Sequence, residues 1–159
     1  MDSAVAQLTS RIEKLATEVR AGDILNSEVR EKSRDLSEAI AEMVILNIDL
    51  AASKDLLQTM WLSCFHAPIE EYRRRSRPKA DSFLSQEISR AASFLASLIR
   101  RLEDRWGIDL ELDLSASPVP QQSNRKQRQS HKQTEDERIL HLVVESCFKC
   151  VVFLGDLVR

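Results

Sequence analysis

The chain has 159 residues, 43% of them hydrophobic and 30% charged, with a formal net charge of −2; this suits one ordinary globular domain rather than a disordered or membrane protein. No apolar run reaches the roughly 18 residues that span a bilayer, and Met1 leads into a polar stretch with no secretory signal. Three cysteines without a disulfide framework point to a reducing compartment, cytoplasm or nucleus, and three glycines and four prolines leave few turns between long helices.

In chain order, Val5, Leu8, Ile12, Leu15 and Val19 recur at three- and four-residue steps and predict a first amphipathic helix within residues 1–22. Asp2 or Ser3 caps it and Gly22 ends it. Fewer than three heptads favour docking on a helical neighbour over a coiled-coil seam. Ser27 opens a second helix, "SEVREKSRDLSEAIAEMVILN", whose apolar face strengthens from Leu36. A break near "IDLAAS" precedes a third, "SKDLLQTMWLSCFHAPIEEYRRRS". Pro68 inside it removes a backbone hydrogen bond and predicts a kink near His66.

Asp81 or Ser82 caps a fourth helix, lined on one side by Phe83, Leu84, Ile88, Ala91, Leu95, Leu98, Ile99 and Leu102 and stopped at Gly107. Residues 113–133, rich in Ser and Gln with two prolines, have too little apolar content to offset their ordering entropy and predict a flexible loop. The basic residues Arg125, Lys126, Arg128 and Lys132 in that loop read first as a solvated surface, second as a contact for RNA or DNA.

Thr134 and Glu137 match a capping box for the last helix, 134–159. Its polar residues Arg138, His141, Glu145, Lys149 and Asp156 share one narrow stripe, and the rest is apolar, which predicts the central helix of a bundle. An apolar helix ending on Arg159 without a stop signal predicts the N-terminal piece of a longer helical protein. The fold class is all-α, an antiparallel helical bundle.

Chemistry-bearing groups are sparse. There is no glycine-rich phosphate loop, no nucleophile elbow and no carboxylate pair at cleft spacing, so the chain reads as no enzyme and calls for no cofactor. Cys147 and Cys150 form a Cys-x-x-Cys in mid-helix among valine and phenylalanine, where two small core residues are the first reading. A zinc site completed by Cys64 and His66 is the alternative, and a redox pair is disfavoured because such pairs open a helix.

Residues 1–60 hold 7 basic and 11 acidic side chains, residues 61–106 hold 9 and 6, so an anion-binding surface belongs to the middle of the chain. In "HAPIEEYRRR", His66 and Arg73 are two helical turns apart on one face, and Glu70 between them is placed to hold Arg73 extended. A guanidinium fork suits phosphate. The bland alternative is a solvated basic helix end.

"MWLSCFHAPIEEYRRR", "SFLASLIRRLEDRWGIDL" and, after the loop, "ESCFKCVVFLGDLVR" together resemble the N-terminal 14-3-3-like domain of the Est/SMG proteins, which comprise telomerase-activating and nonsense-mediated mRNA decay factors. The resemblance covers residues 28–159, its most specific pieces being the Cys-x-x-Cys before "FLGDLVR" and the Trp61-x-x-x-Phe65 helix. It implies a 14-3-3-like, tetratricopeptide-like domain, with residues 27–159 as its truncated first part and residues 1–22 as a preceding helix. It also implies a groove for phosphoserine or phosphothreonine peptides and places the cysteines in a packed core.

Carried onto this chain, the groove's basic positions fall on Arg159 and on His66, where phosphopeptide-binding relatives have lysine; Arg73 matches a further basic position of 14-3-3 proteins. Lys149 joins them as a weaker fourth. The implied partner is a phosphorylated protein segment, such as one of a related Est/SMG protein or an RNA helicase. The rival reading is a telomerase-associated adaptor touching RNA or telomeric DNA through Arg74, Arg75, Arg77, Lys79, Arg125, Lys126 and Arg128. A structural helical fragment without a working pocket is the third.

Overall fold

Asn26 shows how the chain sets its helices. Its side-chain oxygen accepts from the backbone N–H groups of Glu28 (2.9 Å) and Val29 (3.4 Å), closing the open N-terminus of a helix that runs Ser27–Leu46. The computed structural model describes residues 3–75, 78–108 and 131–157. Among them the elements are α1 (Ser3–Ala21), α2 (Ser27–Leu46), α3 (Ile48–Ser53), α4 (Leu56–Met60), a π-helical segment (Trp61–His66), α5 (Ala67–Arg75), α6 (Pro78–Trp106) and α7 (His131–Leu157). No strand occurs among the described residues. The protein is an all-α bundle.

α1 buries Val5, Leu8, Ile12 and Val19 and packs chiefly on α2. The stripe therefore serves docking within the chain. Gly22 lets the two helices close up, since a Cβ there would stand 2.5 Å from a Val29 methyl.

The break after α2 is sharper than the sequence suggested, and "IDLAAS" is itself helical. Asn47 leaves helical geometry (φ −148°) and does two jobs. Its N–H donates to the Met43 carbonyl at the end of α2, and its Oδ1 accepts from Leu50 N–H at 3.1 Å to start α3. The second break is Asp55, whose φ of 51° turns the chain into α4.

α4, the π-helical segment and α5 follow one another from Leu56 to Arg75 without a gap. Pro68 has no N–H for the carbonyl four residues back. The helix widens just ahead of it, and Ala67 N–H reaches five residues back to the Leu62 carbonyl. The expected kink near His66 thus takes the form of a π-helical turn.

Two helix starts differ from the sequence reading. α6 begins at Pro78, ahead of Asp81 and Ser82, because proline at the first position has the right φ and needs no donor. It ends as expected at Gly107 (φ 64°), where Ile108 N–H closes onto the Glu103 carbonyl at 3.1 Å. α7 begins at His131, so residues 131–133 belong to it and Thr134 lies inside its first turn rather than at a cap. The rest of the expected loop lies outside the described residues.

Among the described residues the most enclosed helix is α2. Leu36, Ala39, Ile40, Ala41, Met43 and Val44 are closed off almost all round the second half of α2, which meets α1, α3, α4, α6 and the π-helical segment. α7 buries one side, Val143, Cys147, Cys150, Phe153 and Leu157, against α6 and α3. Leu140, Phe148, Val151 and Val152 on its outer side stay exposed. An apolar helix ending on Arg159 without a stop signal is expected to leave apolar faces open in this way.

Candidate functional site

The foot of α7 meets the π-helical segment through aromatic rings. Trp61 and Phe153 stack with centroids 4.8 Å apart and planes 4° from parallel. Both are buried. Beside them opens a cavity of about 270 Å³ lined by Trp61, His66, Ile69, Glu70, Arg73, Asp156 and Leu157. The proline-bent segment and the foot of α7 both line it.

The widened turn ends at His66, so His66, Ile69, Glu70 and Arg73 then follow at ordinary helical spacing along one face. His66 sits with its ring centroid 5.9 Å from that of Trp61. Arg73 Nη1 donates to Glu70 Oε1 at 2.8 Å. The hollow therefore holds one guanidinium, one imidazole and two carboxylates over an apolar floor of Ile69 and Leu157. Asp156 is a wall residue that the sequence reading left on the polar stripe.

The other basic candidates lie elsewhere. Lys149 sits two turns further up α7, pairs with Asp55 at 3.6 Å and lines a separate cavity of about 180 Å³ with Glu145, Ser146 and Leu142. Arg74 is exposed and donates to Glu71. Arg77, Arg125, Arg128, Lys126 and Arg159 lie outside the described residues, as do the side chains of Arg75, Lys79 and Lys132.

The cysteines are free thiols inside the core. Burial pushes Cys147 up to about 11 and Cys150 up to about 12, and it does the same to Cys64, at about 11. A thiol held that high is no ready nucleophile at neutral pH. Among the described residues no group of three or more His, Cys, Asp or Glu side chains stands together to hold a metal.

One charged cluster was missed. Glu87 is buried on the inner face of α6, where Arg30 (2.8 Å) and Arg90 (3.0 Å) both donate to it, and Arg90 lies 5.4 Å over the ring of Phe65. This braces the back of the π-helical segment. The signal was present: Glu87 falls in phase with Leu84, Ala91 and Leu95, where a lone carboxylate needs a buried partner.

The family model of the telomerase activating protein Est1 matches residues 55–159, more than half of the chain. The chain belongs to this family. The match starts at the left-handed Asp55 and takes in α4, the π-helical segment, α5, α6 and α7. Every described wall of the hollow thus lies within the Est1-family region, whereas α1 to α3 precede it. A search of curated proteins finds no match. Among the described residues no helix is long and apolar enough to cross a membrane.

Proposed function

We propose that this Est1-family domain is a non-enzymatic scaffold whose hollow receives a phosphorylated serine or threonine from a partner protein. The observation that carries this is the convergence of His66 and Arg73 with the foot of α7 in one cavity walled by Trp61. A guanidinium can offer two parallel donors to a phosphate, and the bond to Glu70 restrains Arg73 beside the hollow. Glu70 and Asp156 oppose an anion, so the site needs further positive charge. We infer that the His66 imidazole adds a donor and that Arg159, two positions after Leu157 in the sequence, adds a second guanidinium. The apolar floor suits an uncharged side chain next to the phosphorylated residue. The same reading makes the partner a protein of telomerase or mRNA-decay assemblies, in nucleus or cytoplasm.

The test is a titration of the whole chain with matched phosphorylated and unphosphorylated peptides. Phosphate should tighten binding about tenfold or more, on the scale of one to two charge-assisted bonds. Arg73→Glu should remove that difference while leaving the fold intact. Equal affinity for both peptides sinks the proposal. Peptide-independent binding of nucleic acid that falls steeply with salt would favour the adaptor reading.

A further inference from the structure

Behind the hollow, on the inner side of the π-helical segment, lies a second arrangement of charge. Pro68 has no N–H to return to this turn, and Ala67 N–H reaches five residues back to Leu62, so the turn is held less by its own ladder than an α-helical one. What packs on it therefore sets its shape. Its innermost side chain is the fully buried Phe65, whose ring centroid lies 6.5 Å from that of Trp61 and 5.4 Å from that of Phe94. Arg90, one turn before Phe94 on α6, lays its guanidinium carbon 5.4 Å from the centre of the same ring.

The Arg90 guanidinium is itself held in place. Glu87, with only 5% of its side chain exposed, accepts from Arg90 at 3.0 Å and from Arg30 of α2 at 2.8 Å. A planar cation over an aromatic face is attracted to it, the more so when partly desolvated. Both arginines answer the same carboxylate, and among the described residues Arg90 is the one of the two that lies over a ring. From Phe65 the contacts run on towards the hollow. His66 is the next residue, and Trp61, whose ring stands 5.9 Å from that of His66, is a wall of the cavity beside it. Glu87, Arg90 and Phe65 are not among the residues that line that cavity.

We propose that Arg90 is a positioning residue for the hollow: anchored by Glu87, it fixes the ring of Phe65 and through it the placement of His66 and Trp61. Its effect on phosphopeptide affinity rests on the function proposed above, whereas its effect on where His66 sits does not. Arg30 is the matched comparison. Replacing it takes one counter-charge from Glu87, as replacing Arg90 does, but leaves the cover on Phe65 in place.

The test compares Arg90→Gln with Arg30→Gln in the 159-residue chain. NMR spectra of the histidine rings, with His66 assigned by the loss of its signals in His66→Gln, report its place beside the Trp61 indole through the ring current. Arg90→Gln should move the His66 signals and Arg30→Gln should leave them in place, although both lower the denaturation midpoint. Should Arg90→Gln fail to fold, Arg90→Lys is read in the same way, since it keeps a charge beside Glu87 and gives up the flat group on the ring. Phosphopeptide affinity should fall about fivefold in the Arg90 variant, the scale of one cation–π contact, and stay unchanged in Arg30→Gln. His66 signals that stay put in the Arg90 variants, or that move as far in Arg30→Gln, overturn the proposal and leave the cluster a matter of stability alone. So does an unchanged affinity in the Arg90 variants of a parent that prefers the phosphorylated peptide. A parent that binds both peptides equally, with His66 signals that follow Arg90 and not Arg30, sinks the phosphate reading and upholds the positioning.

Discussion

The indole of Trp61 lies flat on the phenyl ring of Phe153, centroids 4.8 Å apart. This one contact ties the widened helical turn to the end of α7, two pieces of chain separated by 92 positions in sequence, and it fixes the width of the hollow between them. The rest of the site inherits its geometry from that stack: His66 leans on the same indole, and Leu157 follows Phe153 by one turn.

Phe153→Ala should therefore cost about 3–5 kcal/mol, the usual range for emptying a buried phenylalanine site. Phe153→Leu should cost less than half as much, because it keeps most of the volume. Urea denaturation measures both. The near-ultraviolet dichroism of Trp61 should weaken in both variants, since neither retains a ring. An alanine cost below about 1 kcal/mol would mean that α7 is not fastened there.

Glu87 makes stability depend on acid. Burial alone would raise its carboxyl, but the hydrogen bonds and charges of Arg90 and Arg30 together outweigh that and hold it below the usual 4.5. A carboxyl depressed by folding contributes stability that is fully present above its unfolded value and is lost as pH falls through the folded one. The expected outcome is a stability plateau above about pH 5 and a decline below 4.5, read from denaturation midpoints. Glu87→Gln should lower the plateau by about 2–4 kcal/mol, because two arginines lose their buried counter-charge, and should flatten the acid decline.

How much of this was legible from sequence follows from what periodicity can carry. The helices of α1, α2 and α6 announced themselves because their apolar residues repeat on one face. The meeting of His66 and Arg73 was legible for the same reason: seven residues are two turns. Which apolar side of α7 meets its neighbours was not. α7 is apolar on two opposite faces, one buried and one open, and only the packed neighbours distinguish Cys150 from Val152. Glu87 was overlooked because its partner Arg30 lies 57 positions away in sequence. Pro68 predicted a disturbance, but whether the helix bends or widens depends on the packing of Cys64 and Phe65, which are buried on the inner side of that turn. The start of α7 was misplaced because a good capping pair does not forbid a helix from beginning a turn earlier.

The Cys-x-x-Cys gives a prediction with a plain readout. With Cys64, Cys147 and Cys150 buried and their thiols pushed up to about 11, 11 and 12, almost no thiolate exists at pH 8. A thiol reagent should find all three silent in the native protein and all three reactive in denaturant. Rapid labelling of Cys147 or Cys150 at neutral pH would contradict the packed arrangement. A zinc content near one per chain in purified protein would contradict it as well.

Asp55 stands in the left-handed region at φ 51°, at the first residue of the Est1-family match. It makes no side-chain cap for α4; its carbonyl accepts from Thr59 N–H, and its carboxylate reaches Lys149 at 3.6 Å across an exposed surface. Backbone shape, not the ion pair, should then decide substitutions here. Asp55→Asn should change stability by less than about 0.5 kcal/mol, since asparagine tolerates this region and an exposed pair contributes little. Asp55→Gly should be neutral or slightly stabilising. Asp55→Val should cost about 1–2 kcal/mol, because a branched Cβ crowds the following carbonyl at positive φ. Denaturation of the three variants orders them. If asparagine proved as costly as valine, the carboxylate's bond to α7 would be setting the turn, and the direction in which α4 delivers Trp61 to Phe153 would depend on α7 rather than on the local backbone.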